Sequence, residues 1–107
     1  VPTASLAHKN VLEEEKIVNP VEVFQRDVQW VLECDALIAE VSTPSHGVGY
    51  EIALALEAGK PVFCCYQQGK TVSKMITGNI HPNIEVETYM DVADVLVKID
   101  RFLSKND

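Results

Sequence analysis

The sequence predicts an α/β fold, a parallel β-sheet with helices on both faces. Two observations carry this. Short, near-continuous apolar runs at residues 36–42 and 62–66 read as strands buried on both sides, and segments of helical period stand before, between and after them. With 107 residues and 47% hydrophobic content, the chain fits one compact domain over residues 1–107. It contains no internal repeat and no low-complexity segment.

Each element has its own signal. The chain opens on Val1 rather than Met, and residues 1–6 read as the end of a strand that begins elsewhere. An N-terminal strand is therefore expected to be missing, leaving the sheet without a central strand beside residues 36–41. After a polar stretch, Asn19 and Pro20 supply an N-cap and a first helical position. Phe24, Val28, Val31 and Leu32 then recur at helical spacing, so a helix should run to about Cys34. The strand at residues 36–42 leads through Thr43-Pro44-Ser45-His46-Gly47 into a second helix, which carries Val48, Ile52, Ala55 and Leu56 on one face and can end at Gly59. A strand at residues 62–66, a short helix near residues 72–77 and a third strand at residues 83–87 follow. A closing helix over residues 91–103 should turn Val92, Val95, Leu96, Ile99 and Leu103 inward.

Composition excludes several classes of function. A formal net charge of −7 with scattered basic residues opposes binding to long nucleic acid, which depends on clustered Lys and Arg. No apolar run approaches the ~18 residues that cross a bilayer, and no secretory leader is visible, so a cytoplasmic location is expected, or a nuclear one in a eukaryote. Three cysteines cannot all pair within the chain, and Cys64 and Cys65 would alternate faces of one strand, which suits a reducing compartment. No spacing of Cys with His8, His46 or His81 resembles a structural zinc site, and neither metal nor cofactor is assigned.

In an open parallel sheet, ligands bind beyond the carboxyl ends of the strands, where Ser42-Thr-Pro-Ser-His-Gly-Val-Gly-Tyr-Glu51 lies. Gly47 and Gly49 would let the backbone approach a small anion, Ser45 offers a hydroxyl, and the helix start offers free N–H groups. A glycine-relieved strand-to-helix turn explains the same residues without any ligand. Glu51, one turn into the helix, can point back toward the crevice, although a first-turn acid also stabilises a helix through its dipole by about 0.3–1 kcal/mol. Asp27 falls on or beside the apolar stripe of the preceding helix, where a carboxylate needs either a partner such as Arg26 or Lys16 or a task. Two carboxylates converging on one crevice suit glycosidic bond cleavage, one as nucleophile and one handling protons or placing the sugar. Trp30 and Tyr50 are read as core, and His46 as a loop histidine that is either within reach of a bound phosphate or, as is commoner for a lone loop histidine, simply solvated.

The stretch from Asp27 to Glu51, with Pro44-Ser-His-Gly-Val-Gly-Tyr-Glu51 at its end and Gly59-Lys-Pro-Val62 beyond it, resembles the nucleoside 2-deoxyribosyltransferase superfamily. Within it, the likeness is to the 2'-deoxynucleoside 5'-monophosphate N-glycosidases. The resemblance implies a flavodoxin-like or Rossmann-like doubly wound three-layer sandwich working as a homodimer on a small deoxynucleotide. It also implies Glu51 as nucleophile, Asp27 as assisting carboxylate and Ser45 as phosphate ligand. Ser73, in Gly69-Lys-Thr-Val-Ser-Lys-Met-Ile-Thr-Gly78, would reach the phosphate bound by the neighbouring subunit. His46 stands where relatives often carry a small apolar residue. The reaction implied is hydrolysis through a glycosyl ester on Glu51, giving a free base and deoxyribose 5-phosphate. Base exchange by a deoxyribosyltransferase, and a nucleotide-binding module without catalysis, are the alternatives.

Overall fold

The computed structural model describes residues 6–7 and 19–107. Among these, four strands form one parallel sheet in the order β1-β2-β3-β4: β1 (Leu6–Ala7), β2 (Ala36–Glu40), β3 (Val62–Gln67) and β4 (Ile84–Tyr89). Helices α1 (Pro20–Glu33), α2 (His46–Glu57), α3 (Lys74–Thr77) and α4 (Val92–Lys105) connect or follow them. Every expected strand and helix from residue 19 onward is present, displaced by a few residues at its ends.

The first edge of the sheet bears on the expected missing strand. Leu6 and Ala7 pair with Ala36 and Leu37, and from Ile38 onward that side of β2 carries no strand among the described residues. Residues 1–5 of the expected strand end lie outside the described residues.

Period-two alternation sorts the strands onto two faces. Leu37, Ala39, Val41, Val62 and Cys64 pack with Val31 of α1 and with Ile52, Ala55 and Leu56 of α2, and Val72 and Ile76 around α3 join the same layer. Ala36, Phe63 and Cys65 pack on the other side with Phe102 of α4. Helices therefore cover both faces, as a doubly wound sheet requires.

Local chemistry sets the helix ends. The Asn19 side chain accepts the Glu22 N–H at 2.8 Å, with Pro20 occupying the first helical position, where no donor is needed. Gly59 (φ 79°) takes the left-handed conformation beyond α2 that a side chain would resist. Asp91 accepts the Asp94 N–H at 2.8 Å and opens α4.

Two assignments of helix faces need correction. In α4, Val92 and Leu96 are 70% and 58% exposed, and Phe102 is the residue fully buried, against Phe63 at a ring distance of 5.3 Å. In α1, the buried stripe is Val23, Asp27 and Val31, while Phe24 and Leu32 face outward. The spacing was compatible with both stripes. Asp27 argued against the true one, because a carboxylate is a poor marker of a core position.

Candidate active site

Strand β2 ends at Glu40, and residues 41–45 carry the chain into α2, whose N-cap is Ser45. The Ser45 hydroxyl accepts the Val48 N–H at 3.2 Å, which leaves its own proton available to donate. Ser73 plays the same part at α3, accepting the Met75 N–H at 3.1 Å. Both serines line one cavity of about 430 Å³, together with Thr43, His46, Gly49 and Thr71. A methyl group built on Gly49 would meet nothing within 4 Å, so the open wall at this point comes from an absent side chain. Apolar groups complete the lining, notably Val48, Ile52 and Met75.

The carboxylates belong to the other flank of α2. Asp27 is 5% exposed and sits between Val23 and Val31 on the buried stripe of α1, with Arg26 Nε 3.4 Å from its Oδ1. Helix α1 packs against α2, and Phe24 meets Tyr50 edge-on at 6.0 Å between ring centroids. Asp27 follows Phe24 by one turn, and Glu51 follows Tyr50 directly. The two acids are thus carried by helices in mutual contact, and Glu51 is half-buried. Of the residues expected in the crevice, the structure brings Ser45 and Gly49 to one cavity, and Ser73, expected at the neighbouring subunit's phosphate, lines that cavity of its own chain. Gly47, Glu51 and Asp27 stand outside its lining.

Two aromatics expected in the core are exposed. Tyr50 is 56% exposed and lines the cavity, and Trp30 is 38% exposed beneath the Arg26 guanidinium, 4.7 Å from the ring centroid. Cysteine chemistry is disfavoured, because burial pushes the thiols of Cys64 and Cys65 up to about 12 and about 11.

A polar cluster at the carboxyl end of the sheet has no counterpart in the sequence reading. Glu40 receives hydrogen bonds from the Ser42 N–H at 2.7 Å, the Ser42 hydroxyl at 2.6 Å and the Tyr89 hydroxyl. The Ser42 oxygen in turn accepts the Gln67 N–H at 2.8 Å. Burial alone would raise the Glu40 carboxyl, but these bonds and nearby Lys70 outweigh it and hold the group below the usual carboxylate range. Residues separated by 49 positions meet here, a proximity that only the strand order could reveal.

Residues 2–97 match the family model described as nucleoside 2-deoxyribosyltransferase. The chain belongs to that family. A protein of Thermofilum pendens with the provisional name 2'-deoxynucleoside 5'-phosphate N-hydrolase 1 is 44% identical over 96 residues, covering 88% of this chain and 67% of that protein. The 5-hydroxymethyl-dUMP N-hydrolase of Danio rerio is 37% identical over 89 residues, covering 78% of this chain and 62% of its own. The chain thus spans about two thirds of the length of these relatives. Among solved structures, the CMP N-glycosidase BcmB of Clostridium botulinum superposes with a TM-score of 0.71 over 83% of this chain and 75% of that one, at 24% identity. That likeness establishes the shared α/β fold. The names of these relatives describe hydrolases acting on N-glycosyl compounds.

Proposed function

We propose that this family member hydrolyses the N-glycosidic bond of 2'-deoxynucleoside 5'-monophosphates, releasing a free base and deoxyribose 5-phosphate. The observation that carries the reading is Asp27, a carboxylate held at 5% exposure on the core stripe of one helix while the next helix packed on it presents Glu51. Burying a carboxylate in a row of valines costs stability even with Arg26 beside it, and a row built for packing alone would continue with an apolar residue. The N-hydrolase names of the relatives support the same chemistry.

In the mechanism, a Glu51 oxygen attacks C1' as the C1'–N bond breaks, and the bonding electron pair leaves with the base, which takes up a proton. A water molecule then attacks C1', gives up a proton, and frees the Glu51 carboxylate with the sugar phosphate as product. Asp27 places the sugar or carries the proton between these steps. Ser45, Ser73 and the N–H groups at the start of α2 hold the 5'-phosphate, and binding energy remote from C1' orients it for attack. Gly47 and Gly49 keep the backbone open to the ligand.

Two chains pair in this reading, with Ser73 reaching the phosphate end of the partner's site. Met75 (82% exposed) and Tyr50 (56%), both lining the cavity, add exposed apolar surface that favours such pairing. The alternative, in which Ser73 serves its own chain, draws on the cavity that Ser45 and Ser73 share.

Product analysis tests the reaction. Deoxyadenosine 5'-monophosphate incubated alone should give adenine and deoxyribose 5-phosphate, and added cytosine should give no deoxycytidine nucleotide. Exchange without net hydrolysis would mark a transferase, and binding without base release a non-catalytic module.

A further inference from the structure

Thr43, Pro44 and Ser45 form one wall of the cavity, just after Ser42, and end in Ser45, the N-cap of α2. How well that wall is fixed decides how well its hydroxyls and N–H groups can hold an anion. The wall is attached to the sheet at Ser42. Its backbone N–H and its hydroxyl both donate to Glu40, at 2.7 and 2.6 Å, while its oxygen accepts the Gln67 N–H from the end of β3 at 2.8 Å. Tyr89, at the end of β4, donates its hydroxyl to the same Glu40 oxygen as Ser42. The carboxyl ends of three neighbouring strands are therefore joined through Glu40 and Ser42. The sheet closes around it with Val41 N–H to Cys65 O at 2.8 Å and Gln68 N–H to Tyr89 O at 2.9 Å.

We propose that Glu40 is a positioning residue, whose carboxylate holds Ser42 against the ends of the neighbouring strands and so sets the phosphate-binding wall formed by residues 43–45. The proposal rests on the hydrolase reading for the identity of the ligand. Geometry explains why the group must be a carboxylate. Three donors converge on it, and two anionic oxygens can accept all three, whereas an amide offers one oxygen and turns an N–H₂ toward a donor. Glu40 itself touches no substrate in this account. Its effect passes through Ser42 to Ser45, while Glu51 is held separately by the packing of Ile52, Ala55 and Leu56 into the core.

The test compares Glu40→Gln, Ser42→Ala, Ser42→Thr and Tyr89→Phe with the wild type. The first readout is affinity for deoxyribose 5-phosphate by calorimetry, which needs no turnover. Glu40→Gln and Ser42→Ala should weaken binding about tenfold, the loss of one or two hydrogen bonds' worth of organisation. Tyr89→Phe should weaken it about threefold, and Ser42→Thr, which keeps the hydroxyl, should bind within twofold of the wild type. Turnover at saturating deoxynucleotide should stay within about threefold for every variant, so that the loss falls on KM. A uniformly destabilised protein would instead lose kcat and affinity together, and Ser42→Thr would not rescue. Unchanged affinity and KM in Glu40→Gln would overturn the proposal. If the wild type neither hydrolyses deoxynucleotides nor binds the sugar phosphate, the hydrolase reading fails on its own. Amide hydrogen exchange at Val48 and Gly49 then decides about Glu40. Exchange about tenfold faster in Glu40→Gln supports the positioning role, and unchanged exchange overturns it.

Discussion

Replacing Asp27 separates a functional carboxylate from a structural one. Asp27→Asn preserves shape and removes the charge. On the structural side, the loss includes the contact with Arg26 Nε at 3.4 Å, and the Arg26 side chain is 31% exposed and stays hydrated afterwards. Such a partly solvated pair is worth at most about 1 kcal/mol, and relieving a carboxylate buried between Val23 and Val31 opposes that loss. For a domain of this size 1 kcal/mol corresponds to roughly 4–8 °C, so Tm should fall by no more than about 5 °C. On the functional side, an amide can hydrogen-bond but cannot carry a proton, a role worth about 10²–10⁴ in rate. A hundredfold loss corresponds to about 2.7 kcal/mol of transition-state stabilisation, well above the stability change. Calorimetric unfolding and base release from a deoxynucleoside monophosphate measure the two sides. The reasoning is refuted if Asp27→Asn keeps more than a third of wild-type kcat/KM, or unfolds more than about 10 °C lower.

Three further outcomes are expected. Phe102→Ala should cost roughly 3–5 kcal/mol in urea unfolding, because it empties the contact with Phe63 at 5.3 Å, and a loss under about 1 kcal/mol would show that α4 is not anchored there. Glu40 has a carboxyl held below its unfolded value of ~4.3, so its contribution to stability is present above that pH and is lost as pH falls through the folded pKa. Glu40→Gln should therefore lose stability less steeply than the wild type on acidification, and parallel curves would contradict the sign. Mixing an inactive Glu51→Ala chain with a Ser73→Ala chain should restore part of the activity if the site is shared between subunits. No recovery in demonstrable heterodimers, with Ser73→Ala itself deficient, would assign Ser73 to its own chain.

Much of the fold was legible because its signals are local. Asn19-Pro20 and Gly59 mark helix ends through the chemistry of single residues, and the apolar runs of β2 and β3 need no tertiary context. Helix faces were less legible. In α4, Val95, Ile99 and Leu103 do pack on the core as expected, Val92 and Leu96 fit the same spacing but are exposed, and only the position of Phe63 on the neighbouring strand selects Phe102. In α1 the polar Asp27 concealed the true stripe by occupying it. Site residues within the segment from Ser42 to Glu51 could be picked out from glycines, hydroxyls and acids close together in the chain. Glu40 could not, since its partners Gln67 and Tyr89 arrive from two other strand ends, and a Glu closing a strand carries no signal by itself.

The central claim is that Glu51 performs the chemistry on a 5'-phosphorylated deoxynucleoside, and Glu51→Ala tests it most directly. Removing the carboxylate eliminates the covalent route, while the loss of a first-turn acid should cost no more than about 1 kcal/mol of stability. The measurement is release of base and deoxyribose 5-phosphate from deoxynucleoside monophosphates by wild type and variant at equal concentration, with Tm recorded for both. The account predicts hydrolysis by the wild type and none above background by a folded Glu51→Ala protein. Wild-type rates from that variant, or no base release by a wild type that binds the nucleotide, would contradict it.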